Sequence, residues 1–581
     1  MAFTSSKDPE LNESYIPDDG STHSVLTDGS LQFTSQEGGN LAKPSYQEAS
    51  GAPVERDSPL GYDVGWVTII FLNLSKMIGT GVFSTPSTIL KGTGSVGLAI
   101  LYWVIGFFIS AASLSVYLEY ASYFPSRSGA EVVYLEQAYP RPKYFLPTVF
   151  AVQTVLLSFS SSNAIVLAQY LFRLGGHTAT PWQLKGVAIA AYTVAVLCLA
   201  FNTRWSLRLA NVIGGIKLIT LTFIAITGLV VLGGGTHVKD PKANFRNAFE
   251  GSSQATAYGA TNAMVKIIFS YAGFENAFNV VNEVKNPVKT LRWSAPLSLL
   301  GTSILYVLAN VAYFSAASKK EILGSKAVAA SVFFEKVFGG SGASRALNFL
   351  ICLSAFGNLL AVLVGQSRVI RECGRQGVLP WTKFWVSTKP FGTPLGPYAL
   401  KWGLTVLMIL APPAGDAFNF VVDLAVYPST AFNFFLAIGL FLVRWRRKRL
   451  TLPRSDFQAW TIAVVFSIAA NAYLLIMPWY PPSTGRYGGD VSFWYATYCV
   501  VGIAILVTCG IYYYVWIVWL PKWKHYQIRQ VVLESDDGVV AHTLVKVPDA
   551  DVATWDAKHD ANGRLVRRVD HGKIKENKYD L

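Results

Sequence analysis

The sequence predicts an all-α polytopic membrane protein of twelve spanning helices, built as two inverted five-helix halves with two helices appended. Three observations lead there. Of 581 residues, 52% are hydrophobic and only 14% charged, with mean hydropathy +0.35; a soluble chain carries about 25% charged residues. Apolar runs of about 20 residues, long enough to cross a bilayer, recur along most of the length. Two such runs, five spans apart, are interrupted at their centres by small residues, as inverted-repeat transporters require.

The composition excludes several classes. The net charge of +14 is read as basic bias of cytoplasmic loops, with no nucleic-acid partner. The polar first 60 residues carry no signal-peptide pattern. The five cysteines, Cys198, Cys352, Cys373, Cys499 and Cys509, lie in or beside apolar segments, so neither a disulfide framework nor a thiolate metal site is expected. None of the seven histidines falls in the middle of a span. No metal or cofactor is expected, and no nucleophile–base set points to an enzyme.

In chain order, residues 1–60 read as a disordered cytoplasmic tail, rich in Ser, Gly, Asp and Glu without apolar period; Lys7 and Lys43 there are open to modification. The transporter domain follows at 61–520. Its spans are roughly 62–90, 95–121, 144–173, 183–202 and 207–232 for the first repeat. The second comprises 259–282, 294–317, 344–371, 396–412 and 418–443, and the appended pair 457–477 and 492–520. Even-numbered loops hold most of the basic residues, from Arg127, Arg141 and Lys143 to the run Arg444, Arg446, Arg447, Lys448 and Arg449. This places both termini in the cytoplasm. Residues 319–338 read as a short surface helix with Phe333, Phe334, Val337 and Phe338 toward the membrane or the bundle. Residues 521–581 form a cytoplasmic tail with one small strand pair around 530–547.

The first interruption is Met77-Ile78-Gly79-Thr80-Gly81-Val82-Phe83. Glycine weakens a helix by about 1 kcal/mol relative to alanine, and backbone freed in a membrane must find partners. Unwinding here aims N–H groups and the positive end of the second half-helix at a ligand anion. Close packing of two helices on the glycines is the other reading. The second interruption is Phe269-Ser270-Tyr271-Ala272-Gly273-Phe274-Glu275. It offers carbonyls to a cation. A zwitterion with adjacent charges, an α-amino acid, fits the pair.

Ionisable residues within spans are functional by default. Lys76, Glu119, Lys217, Lys266, Glu275 and Asp423 qualify. Lys217 serves either as a fixed cation pinning helices or as a proton carrier. Glu275 serves as a proton site, a helix cap or a packing group. Snorkelling or lining a vestibule is expected of Lys76 and Lys266. For Glu119 and Glu283, pairing with nearby Arg or Lys, or capping, is expected.

Together these residues resemble the L-type branch of the amino acid–polyamine–organocation permeases. The resemblance rests on Ile78–Phe83, Pro125-Ser126-Arg127-Ser128-Gly129-Ala130-Glu131, Glu283-Val284-Lys285-Asn286-Pro287, Ser354-Ala355-Phe356-Gly357-Asn358 and Gly374–Pro380. Asn244–Gly251 followed by Ala255–Gly259 is similar to fungal members that carry methionine. The resemblance implies a LeuT-like fold with alternating access. It implies that the N–H groups around Thr80 and Gly81 hold a substrate carboxylate and that the carbonyls of Met77, Phe269 and Ala272 hold its ammonium end, with Ile78, Gly79 and Ser270 also in the substrate site. Phe269 would be the gate, and Lys217 would stand where other members bind sodium. The expected function is import of L-methionine with H+ across the plasma membrane, with cycling through endosomes and contacts of the tails with ubiquitin-ligase adaptors. No covalent heavy-chain subunit is expected, because Arg173-Leu174-Gly175-Gly176-His177 lacks a cysteine. Other neutral or sulfur-containing amino acids, and a non-transporting receptor, are the competing functions.

Overall fold

The computed structural model describes residues 12–13, 25–37, 44–55, 58–201, 203–325, 329–339, 342–411, 417–534 and 539–566. Lys7 and Lys43 lie outside them. The described chain is dominated by helices, ten of which are long and apolar enough to cross a membrane. The two other expected spans are shorter. One is the helix Ala257–Tyr271 continued, after a gap, by the 3-10 turn Asn276–Glu283; the other is Leu395–Leu410.

Burial separates the inner helices from the outer ones. The most apolar window of Trp66–Ser84 is 78% buried, against 28% for Thr461–Trp479 and 17% for Thr497–Lys524. Apolar helices so exposed are suited to lipid, so these two, with Pro181–Phe201 at 22%, lie at the rim. Trp66, Trp182, Trp205, Trp293 and Trp460 are exposed at helix ends, where indole rings favour the membrane–water boundary.

The helix ends follow local chemistry. Pro86 opens Pro86–Thr93, and Gly94 stops it in the left-handed region at φ 72°, where glycine carries no Cβ penalty. Ser95 then caps Val96–Tyr123 by accepting from the Leu98 N–H at 3.3 Å. Thr256 caps Ala257–Tyr271 by accepting from Gly259 at 3.0 Å. The expected 319–338 helix is two helices, Lys319–Gly324 and Ala329–Phe338, the first held by a Ser318–Glu321 capping box. Phe333 and Phe334 are fully buried, so this segment packs on the bundle.

The third span contains a break that its apolar run does not announce. Phe145–Leu156 ends, residues 157–160 are non-helical, and Ser161–Leu174 resumes. The serines of Ser158-Phe159-Ser160-Ser161-Ser162 are its local cause, since serine hydroxyls compete with helical hydrogen bonds.

Both tails pack at one end of the bundle. Composition predicts disorder for the first 60 residues, yet the described part holds a three-stranded antiparallel sheet, Val25–Thr27, Gln32–Gln36 and Ser45–Glu48. Tertiary contacts order it. Glu48 N–H donates to Gln137 Oε1 at 2.8 Å, and Glu55 pairs with Arg371 at 2.8 Å and Arg375 at 3.3 Å. The strand pair expected near 530–547 is Tyr526–Glu534 with Val540–Pro548, joined by Asn12–Glu13. Arg375 ties both tails together, donating to Val540 O at 2.8 Å and Pro53 O at 2.6 Å. Beneath lies a buried network in which Arg127 meets Glu136 at 2.7 Å and Glu372 at 3.0 Å. Arg368 pairs with Glu283 at 3.0 Å, and Arg444 holds the fully buried Glu119 at 2.5 Å. Pairing was the expectation for both Glu119 and Glu283.

This end is sensitive to acid. His542, 1% exposed, is driven from 6.5 down to about 3, first by burial and then by the charges of Lys143, Arg127 and Arg375. The folded state thus binds fewer protons than the unfolded one between those values. Stability from the neutral ring is complete above 6.5 and is lost as pH falls from there toward 3. His542→Asn removes the loss. Thermal melting of the two proteins at pH 7.5 and pH 5 should therefore diverge by about 2 kcal/mol in the wild type's disfavour at the lower pH. Parallel behaviour would show that His542 does not titrate with unfolding.

Candidate functional site

The two interruptions meet at the centre of the bundle. The first helix ends at Met77, and its second half starts at Gly81. The helix Ala257–Tyr271 ends at Ala272, and Gly273 takes φ +140°. A Cβ on Gly273 would sit 2.7 Å from Met77 N, and one on Gly81 would sit 2.4 Å from Ser270 Oγ and 2.9 Å from Ser270 Cα. The glycines therefore let the broken segments touch. Unwinding and close packing, alternatives in the sequence, coexist in the structure.

A helix end leaves carbonyls without partners, and at the first break those of Ser75, Lys76, Met77 and Ile78 are claimed. Lys217 Nζ donates to Ser75 O at 2.7 Å and Ile78 O at 2.9 Å. Asn358 Nδ2 donates to Ser75 O at 3.0 Å and Lys76 O at 2.5 Å. Tyr306 OH reaches Met77 O at 2.5 Å and Ser270 O at 2.9 Å, bridging the two breaks. Lys217 is 2% exposed and satisfies backbone; its geometry is that of a pin.

A cavity of about 290 Å³ opens beside this junction. Met77, Gly79, Thr80, Gly81, Phe269, Ser270, Ala272 and Glu275 line it, so the structure gathers nearly every expected site residue around one space. Ile78 and Lys217 are absent from the lining and stand behind it. Thr80 Oγ1 donates to Asn163 Oδ1 at 2.8 Å, fixing the break to the third span. Phe269 lines it with its ring 6.4 Å from that of Phe418 at an interplanar angle of 89°.

The charges in and near the cavity take one of the expected roles or depart from them. Lys76 lines the cavity, the second of its two expected roles, and its Nζ pairs with Glu275 Oε1 at 2.6 Å at the cavity wall. Glu275 Oε2 also accepts from Gly273 N–H at 2.8 Å, so the carboxylate braces the second break. Lys266 is fully buried and paired with Asp423 at 2.7 Å, outside the cavity lining.

Sequence reasoning missed three groups. Glu131 lines the cavity, accepting from Tyr117 OH at 2.6 Å, and has no ion pair among the described residues. Its motif position was visible, but its reach into the cavity depends on Ala130, which turns the chain at φ 40°. Lys401 is fully buried in Leu395–Leu410 and donates to Ser158 O at 3.1 Å. It also contacts Gln366 Oε1. It serves the break in the third span as Lys217 serves the first; a lysine within an apolar span was the available signal. Tyr306 carried no signal, because a tyrosine in an apolar helix looks like core.

The arrangement has the means to hold a small zwitterion between two helix breaks. It resembles known proteins accordingly. The amino acid permease family model matches residues 64–506. The chain is 36% identical over 499 residues to the high-affinity methionine permease of Saccharomyces cerevisiae, covering 86% of each chain. It is 31% identical to the low-affinity methionine permease of that organism, over 84% of this chain and 89% of the relative. The large neutral amino acids transporter small subunit 2 of Homo sapiens is 26% identical over 80% of this chain and 82% of that one. These relatives are transporters, not enzymes. The match spans the broken helices and every residue that lines the cavity, and the chain belongs to the amino acid permease family.

Proposed function

We propose that this chain is a secondary active transporter that imports L-methionine with protons across the plasma membrane by alternating access. The observation that carries the reading is the cavity between the two helix breaks. The start of one half-helix, at Thr80 and Gly81, and the end of another, at Phe269–Ala272, border the same space. Half-helix termini of opposite polarity hold a carboxylate and an ammonium without fixed charges of their own. The ammonium goes to the carbonyls of Phe269 and Ala272, with Met77 O shared with Tyr306. In this reading the ten apolar helices, with Ala257–Glu283 and Leu395–Leu410, make twelve spans in a LeuT-like 5+5 repeat plus two. Both termini face the cytoplasm and the chain works without a heavy subunit. The tails are the contact for ubiquitin-ligase adaptors, which would govern cycling through endosomes. The methionine assignment is supported by the two yeast permeases.

The test is labelled methionine uptake by proteoliposomes containing this protein alone, with and without an inward proton gradient, in competition with other unlabelled amino acids. Gradient-driven accumulation displaced best by methionine is the expected result. Binding without accumulation would make it a receptor, and stronger displacement by another neutral amino acid would reassign the substrate.

Phe269→Ala removes a ring from the cavity lining. The half-saturating methionine concentration should rise about tenfold, the equivalent of about 1.4 kcal/mol of lost contact, with weaker discrimination among neutral amino acids. Unchanged kinetics would remove Phe269 from the gate.

A further inference from the structure

Beyond Phe269, on the side away from the tails, a second group of residues ties the bundle together. Lys266 Nζ lies 2.7 Å from Asp423 Oδ1 and 3.3 Å from Asp490 Oδ2. The side chains of Lys266, Asp423 and Asp490 are 0%, 3% and 12% exposed. Asn262 Nδ2 donates to Asp490 Oδ2 at 3.2 Å, and Asn419 Nδ2 to Asp490 O at 3.1 Å. Three elements converge: the helix Ala257–Tyr271, the helix Ala417–Arg449 and the loop carrying Asp490.

The count of charge is uneven. One ammonium faces two carboxylates. The other titratable groups facing the cluster are the phenols of Tyr258 and Tyr498 and the thiol of Cys499, which add no positive charge. Tyr495 packs edge-on against Tyr258 at 5.5 Å, and the exposed Arg486 lies beside Tyr495. Closing the mouth with both carboxylates ionised would bury a net negative charge. Two carboxylates that share a site resist joint ionisation, and an unbalanced charge out of water is costly.

We propose that this cluster is a proton-binding site that latches the mouth: Asp423 and Asp490 share one proton when it is closed and give it up when it opens. The proton comes from water on that face, forms an O–H bond on one carboxylate, and leaves the ammonium facing one negative charge. On opening, both carboxylates hydrate and the proton returns to water on the same side. The latch and the gate are one mechanical unit. Lys266 lies one turn before Ser270, whose Oγ donates to Lys266 O at 2.8 Å. Phe418 lies about one turn before Asp423. Separating these two helices therefore breaks the ion pairs and parts Phe269 from Phe418 together. The inference deepens the import reading and rests on it only for the consequence that acid on this face favours capture of substrate.

The test uses the full chain in proteoliposomes at equal pH on both sides, without substrate. A Val421→Cys reporter, which lines the cavity, is placed in a Cys499→Ser background and probed with a membrane-impermeant maleimide. Because the thiolate is the reacting form, each rate is divided by that of the same protein unfolded in detergent at the same pH. This ratio should rise from about pH 5 to about pH 8, by up to about tenfold per pH unit for one linked proton. In Asp490→Asn, or in Asp423→Asn, a single carboxylate faces the lysine. The ratio should then be small and flat across the range. A pH-independent ratio without these substitutions, or the full pH dependence retained by both variants, overturns the latch. Failure to transport methionine with the labelling pattern intact would sink the import reading and leave the proton site standing.

Discussion

The proposed methionine uptake should be abolished by Gly81→Val, with a loss of at least about a hundredfold, corresponding to about 2.7 kcal/mol or more. Two physical effects act in the same direction. A single Cβ at this position would lie 2.4 Å from Ser270 Oγ and 2.9 Å from Ser270 Cα, so the two helix breaks must move apart. Overpacking alone costs about 1–3 kcal/mol. Valine also places methyl groups where the second half-helix begins, in the space assigned to the substrate carboxylate. Uptake in proteoliposomes, normalised to reconstituted protein, checks the loss. Gly81→Ala with Ser270→Gly tests the side-chain part of the packing. Removing the serine side chain relieves the nearer contacts, so recovery of uptake in the double variant would assign the loss to packing. Persistent loss leaves the cradle and the backbone contact at Ser270 Cα as its causes. Normal transport by Gly81→Val would overturn the site at the two breaks.

Lys217→Ala should end the proposed accumulation of methionine against a gradient. Its ammonium donates to Ser75 O and, with Ser354 at 3.4 Å, to Ile78 O. Without it, carbonyls inside the membrane lose donors, at a cost of several kcal/mol each where no other partner is found. Asn358 still holds Ser75 O at 3.0 Å, so the helix break survives while its position loosens. Lys217→Arg distinguishes a pin from a carrier, because the guanidinium stays charged throughout. A Lys217→Arg protein that still concentrates methionine leaves Lys217 as a fixed cation. One that exchanges methionine but cannot concentrate it makes Lys217 the proton carrier. Accumulation by Lys217→Ala with unchanged pH dependence would exclude both roles.

Glu275 and Lys76 illustrate the difference between finding a residue and finding its role. Each was visible as an ionisable group in an apolar span. Their pairing at 2.6 Å joins residues 199 positions apart, and no local pattern encodes such a distance. The same holds for Lys266 with Asp423, and for Tyr306 spanning both breaks. The described part of the first tail is a further case: its composition resembles that of a disordered segment, and tertiary contacts, among them those with Gln137, Arg371 and Arg375, order it.

The sequence by itself determined what depends on local composition. Apolar length set the spans, Gly79-Thr80-Gly81 and Ala272-Gly273 set the two central breaks, and basic loop residues set the expected orientation. The tertiary structure alone decided which donors claim the freed carbonyls, which charges pair, and that Glu131 reaches the cavity. Backbone propensity acts within a few residues, whereas the satisfaction of a buried polar group depends on whichever distant side chain the packed helices bring within about 3 Å.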